Sequence, residues 1–201
     1  MRRRTLMLAG GAATSAIAGC FETDTEPADR DSDDTGTADA PDGDGDAADE
    51  SDDTEAWTEP DWPSGPYEEY ETTVVEIEGT DGESLGRVKT AVARSGEEWT
   101  LGLSDAESMP ENGGMLFASD ASSDHTFWMR DMTFGLDIVY VASDGTITSI
   151  HHAPEPADGD SGTEERYQFS GTGRYVLEVN YRWTTERDVS VGDTLTFELD
   201  G

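Results

Sequence analysis

From residue 70 onward, apolar residues come in short runs set off by Gly, Asp, Ser and Thr, and no run keeps a helical period for long. Residues 70–78 carry Val74, Val75 and Ile77 ahead of Gly79-Thr80-Asp81-Gly82. Residues 85–93 alternate through Leu85, Arg87, Val88, Lys89 and Val92, so the two segments predict strands joined by a tight turn. Ser95-Gly96-Glu97-Glu98 has the spacing of a capping box, in which Ser95 caps the free amides and Glu98 reaches back. It predicts a short helix through Trp99 and Leu101, ending near Gly102. Residues 114–118 and 125–129 are short apolar runs consistent with two further strands.

The clearest hairpin is Leu136-Asp137-Ile138-Val139-Tyr140-Val141-Ala142, then Ser143-Asp144-Gly145, then residues 146–150. Its first arm is almost continuously apolar and so predicts a strand covered on both faces. Strands are also expected at 175–181 and 194–199, with Val191-Gly192-Asp193-Thr194 turning into the last and a helical turn at 183–187. Seven or eight short strands with one or two short helices predict a mainly β fold, a small curved or barrel-like domain over residues 67–201.

The chain ahead of this domain has no such pattern. Residues 21–66 hold 18 acidic residues and one basic one, with almost nothing apolar until Trp57 and Trp62. Such a segment buries too little apolar surface to offset its ordering entropy and is expected to be a disordered acidic linker. As a random coil it would span on the order of 40 Å, and charge repulsion would stretch it further. Asp42-Gly43-Asp44-Gly45-Asp46 lacks the distal Glu of an EF-hand and is not read as a calcium site.

Residues 1–20 run from Met1-Arg2-Arg3-Arg4 through an apolar stretch to small residues before a cysteine, the layout of an export signal. Arg3-Arg4-Thr5-Leu6-Met7 fits the twin-arginine pattern, which marks a route for folded cargo. Ile17-Ala18-Gly19-Cys20 resembles a lipoprotein lipobox, so Cys20 is the expected lipidation site. The expected partner is then membrane lipid, and the expected location the outer face of the cytoplasmic membrane. Cys20 is the only cysteine, which excludes an internal disulfide.

Charge narrows the classes of function. The chain has 46 acidic and 12 basic residues, and residues 67–201 alone hold 28 acids against 8 bases. Self-repulsion on this scale is relieved by salt, so a halophilic source, archaeal on this reading, is expected. No basic stripe is present to neutralise phosphates, and nucleic acid is not an expected partner.

Across the domain, Leu101-Gly102-Leu103, Gly114-Met115-Leu116-Phe117 and Phe127-Trp128-Met129-Arg130-Asp131-Met132 follow one another in order. After them come Leu136-Asp137-Ile138-Val139, Asp144-Gly145-Thr146-Ile147, Ala153-Pro154, Tyr175-Val176-Leu177-Glu178 and Gly192-Asp193. In this order and spacing, the motifs resemble the family called domain of unknown function 192, over about residues 70–200. The resemblance implies a compact β-barrel-like domain and no established activity. Ser104, Asp131 and Val179-Asn180 stand where the family more often has Met, Asn or Gly, and Ala-Gly.

Arg130, Asp137 and Glu178 are the charged members of apolar motifs, where an unpaired charge is costly. They predict either a structural ion-pair network or a polar pocket. In the second case Trp128, Arg130, Asp137 and Glu178 are the ligand-binding residues, with Arg130 gripping an anionic or hydroxylated ligand and Trp128 stacking on it. Asp137 and Glu178 would also be the minimum pair for glycoside hydrolysis. Metal binding through His125, His151 and His152, or through Met115, Met129 and Met132, is read as less fitting than loop histidines and packing methionines. No cofactor is called for. The reading preferred on the sequence is a non-catalytic surface module recognising a small molecule, a glycan or an envelope partner. A hydrolase and a metal-handling protein are the alternatives.

Overall fold

The computed structural model describes residues 57–200. Cys20, the twin-arginine motif and the greater part of the expected linker lie outside these residues. Seven strands form one sheet: β1 (Glu71–Glu78), β2 (Ser84–Ala93), β3 (Gly113–Trp128), β4 (Leu136–Val141), β5 (Ile147–Ala153), β6 (Gln168–Asn180) and β7 (Thr194–Thr196). Their spatial order is β5-β4-β6-β3-β2-β1-β7. All neighbours are antiparallel except β2 and β3. That parallel pair needs a crossover, which is supplied by α1 (Gly96–Leu101) and the turns that follow it.

The sheet curls until its two edges meet at one end. Thr146 bridges Thr194, the Ile147 amide donates to the Asp193 carbonyl at 2.8 Å, and the Leu195 amide donates to the Gly145 carbonyl at 2.8 Å. Gly145, at φ 91° in the Asp144-Gly145 turn, is where this contact forms: a Cβ there would stand 2.5 Å from the Leu195 carbonyl oxygen. The expected curved, barrel-like β fold is therefore what the chain adopts.

Alternation along the strands sorts the core into two clusters. Met115, Phe117, Ile138, Tyr140 and Val176 belong to one; Leu116, Val139, Val141, Leu177 and Val179 belong to the other. β4 is buried along its whole length, as its almost continuous apolar run implied. Burying each such side chain contributes roughly 1.5–3 kcal/mol.

Three details depart from the sequence pattern. The runs at 114–118 and 125–129 are one 16-residue strand, β3, whose register with β6 slips between Ala118 and Ser123. β6 begins seven residues before the expected start, at Gln168. Part of the expected linker also belongs to the folded unit: Trp62 is 2% exposed, and its indole donates to the Gly114 carbonyl at 2.7 Å. Glu59 pairs with Lys89. An aromatic anchor on β3 outweighs the acidic composition around it.

Candidate functional site

The capping box forms as expected. The Glu98 amide donates to Ser95 Oγ at 3.2 Å, and the Ser95 amide donates to the Glu98 carboxylate at 2.7 Å. The helix it starts stops at Gly102, φ 51°. This brief α1 and the turn after it stand over the end of the sheet formed by β3, β4 and β6. Between them lies a groove of about 290 Å³.

Trp99, Phe117, Phe127 and Trp128 give the groove its aromatic lining, and Glu178, Arg130, His125, Thr100 and Ser104 its polar groups. Trp99, Phe117 and Phe127 pack on one another with ring centroids 4.7–5.8 Å apart. Trp128 is 53% exposed. It follows Phe127 on β3 and stands at the edge of the groove, outside the packed ring cluster.

Glu178 sits on β6 opposite Ile138 of β4 and Met115 of β3, which turns it toward the first core cluster. It is 5% exposed and lines the groove, and its carboxyl meets no hydrogen-bond partner among the described residues. Burial alone pushes its pKa up, from an ordinary 4.5 to about 8, with no nearby cation to counter it. Burial therefore favours the neutral acid at neutral pH. The same interior pushes the Tyr67 hydroxyl up to about 12, burial being the largest cause.

Arg130 also lines the groove. Its guanidinium donates to the Thr100 carbonyl at 3.0 Å and stands 3.6 Å from the Asp131 carboxylate. It ties the β3–β4 turn to α1 across the rim and does not pair with Glu178.

Asp137 requires a correction to the expected set. It neighbours Ile138 on β4 and so points to the opposite face, beside Val179. There, fully buried, it accepts from the His152 ring at 2.7 Å, the Arg182 amide at 2.9 Å, the Thr184 amide at 2.9 Å and the Thr184 hydroxyl. Arg182 is left-handed, φ 66°, where α2 (Trp183–Glu186) begins. Asp137 thus holds the start of α2 and does not line the groove. The anticipated Asp137–Glu178 pair is not formed, and neither is an ion-pair network joining Arg130, Asp137 and Glu178.

The histidines are apart: His125 lines the groove, His151 meets the Ser170 carbonyl at 3.0 Å, and His152 pairs with Asp137. No group of three His, Cys, Asp or Glu side chains able to hold a metal occurs among the described residues. Met115, Met129 and Met132 are core residues, Met132 also touching the groove. Sequence reasoning missed Trp99 and Phe127 as groove residues. Their signal was present, since both are aromatics within a few residues of the capping box and of Arg130.

A family model, DUF192, described as Uncharacterized ACR, matches residues 76–197. Two crystal structures are similar. One is a Sinorhizobium meliloti 1021 protein described as a candidate transcription regulator, 26% identical, with a TM-score of 0.56, covering 64% of this chain and 95% of its own. The other is a Novosphingobium aromaticivorans DSM 12444 protein of unknown function, 24% identical, with a TM-score of 0.55, covering 67% of this chain and 91% of its own. No curated protein matches the chain.

Proposed function

The chain belongs to the DUF192 family, and from that premise we propose that its domain is a recognition module that takes a small organic molecule into the aromatic groove and does no chemistry on it. The supporting observation is Glu178, a buried carboxyl facing the groove with no protein partner among the described residues. A ligand's polar group would give this carboxyl a partner at the groove, while its apolar part covers the aromatic lining.

Catalysis finds less support. Glu178, with its raised pKa, would suit a general acid, but glycoside hydrolysis needs a second carboxyl about 5–9.5 Å away. Among the described residues Glu178 is the only acid lining the groove, and Asp137 is turned to the other face of the sheet. Metal handling has no ligand group among the described residues to support it. The regulator description of the Sinorhizobium protein does not transfer on charge grounds: residues 67–201 hold 8 basic residues against 28 acids.

The module works at the cell surface on this proposal. The lipobox at Cys20 would attach lipid, the twin-arginine route would deliver it folded, and the acidic segment would hold the domain off the membrane in high salt. The direct test of recognition is fluorescence titration of the full chain, in molar KCl, with a library of small neutral, cationic and anionic compounds. Hits are expected to lose at least tenfold in affinity in both Trp128→Ala and Glu178→Gln. Hits unaffected by either substitution would reject the groove as the site.

A further inference from the structure

If the groove is a recognition site, as proposed above, its floor also states which head group it accepts. We propose that the groove selects an organic ammonium cation, whose head displaces the proton of Glu178 and pairs with the resulting carboxylate beneath the rings of Trp99, Phe117 and Phe127.

Four observations lead there. Among the described residues Glu178 is the only acid lining the groove, and its nearly buried carboxyl has no hydrogen-bond partner there. Arg130, the one arginine in the lining among the described residues, is occupied by the Thr100 carbonyl and the Asp131 carboxylate and leaves Glu178 without a cation. The surroundings are ring and aliphatic side chains, Leu101, Leu103 and Leu136 among them. Aromatic rings attract a soft cation within about 6 Å of the ring centroid, whereas potassium is held where several oxygens replace its hydration shell, and one carboxyl does not provide them. Finally, 28 acids against 8 bases in residues 67–201 concentrate cations around the domain and disfavour anions. A buried pair is screened far less by salt than this outer field is, so selection at the floor survives in brine.

The proton balance is explicit: the neutral acid and the cation give a carboxylate–ammonium pair and one proton released to solvent. The tyrosines facing Glu178 keep their protons over the pH range of this exchange. Tyr67, ahead of β1, and Tyr140, on β4, are both raised above the ordinary tyrosine range, chiefly by burial. His125 and Arg130 are the other ionisable groups of the lining. With Glu178 raised to about 8, binding at pH 7 should release a proton, and the release should fade as pH rises past that value.

The experiment compares choline with its uncharged isostere 3,3-dimethylbutan-1-ol, and adds tetramethylammonium and butylammonium. Binding to the full chain in molar KCl is followed by fluorescence, and released protons are counted in a pH-stat. The expected result is at least tenfold preference for choline over the alcohol, proton release at pH 7 that fades as pH rises past about 8, and loss of both in Glu178→Gln. Equal binding of choline and the alcohol without proton release would overturn the cation assignment and leave small-molecule recognition standing. So would binding of neutral or anionic compounds with none of the three cations bound at 100 mM. If no compound of any charge binds, both proposals fall.

Discussion

Replacing Glu178 by Gln keeps its shape and removes its proton, which makes it a measure of how the groove floor is built. In the unfolded chain this carboxyl ionises near 4.5, and in the folded protein near 8. Between those values the unfolded chain has lost a proton that the folded one keeps, so raising the pH favours unfolding. The group's contribution is fully present below pH 4.5 and is lost as pH rises through 8. At about 1.4 kcal/mol per tenfold change in the ionisation constant, the whole effect is about 5 kcal/mol, of which about 4 kcal/mol falls between pH 5 and pH 9. The assay is urea unfolding of the wild-type chain and Glu178→Gln in the same molar KCl at pH 5, 7 and 9. Taking the difference cancels the other carboxylates, which both proteins share. Wild type should lose stability relative to the variant by that amount as pH rises. A difference constant to within about 1 kcal/mol would refute a buried, unpartnered Glu178.

Three further outcomes follow from other parts of the chain. Asp137→Ala strips the acceptor from two amides, a hydroxyl and the His152 ring, and should cost about 3–5 kcal/mol in urea unfolding while leaving ligand affinity in the groove unchanged. The melting temperature should fall when the protein is moved from molar KCl to dilute buffer, since 28 acids face 8 bases in residues 67–201; an unchanged value would contradict the salt-dependent reading. Cys20→Ser should leave the membrane fraction on cell fractionation, and retention there would rule out anchoring through Cys20.

Local signals in the sequence carried the local structure. The Asp144-Gly145 turn, the capping box at Ser95 and the almost continuously apolar run of β4 each demand a specific backbone or a specific burial, and each appears where it was expected. Continuity was harder to read. The polar stretch Ser119–Asp124 hid the fact that β3 is one strand, because it lies outside the core and needs no apolar alternation. Trp62 likewise packs against β3 although its neighbours read as linker.

At the site, the right residue types were visible and their partnership was not. Trp128, Arg130 and Glu178 share a groove, whereas Asp137 does not, and what separates it is strand register. Glu178 lies opposite Ile138, so the residue before Ile138 must face the other way. That pairing joins β4 to a strand some forty residues downstream, and no local pattern encodes it.

The central claim is that the groove floored by Glu178 is a ligand site. Amide and indole NMR spectra of the full chain in molar KCl, recorded with and without each compound that binds, test it most directly. Shifts concentrated at residues 99–104 and 125–130, absent in Glu178→Gln, are expected. Shifts scattered over the acidic surface, or identical in the variant, would contradict it.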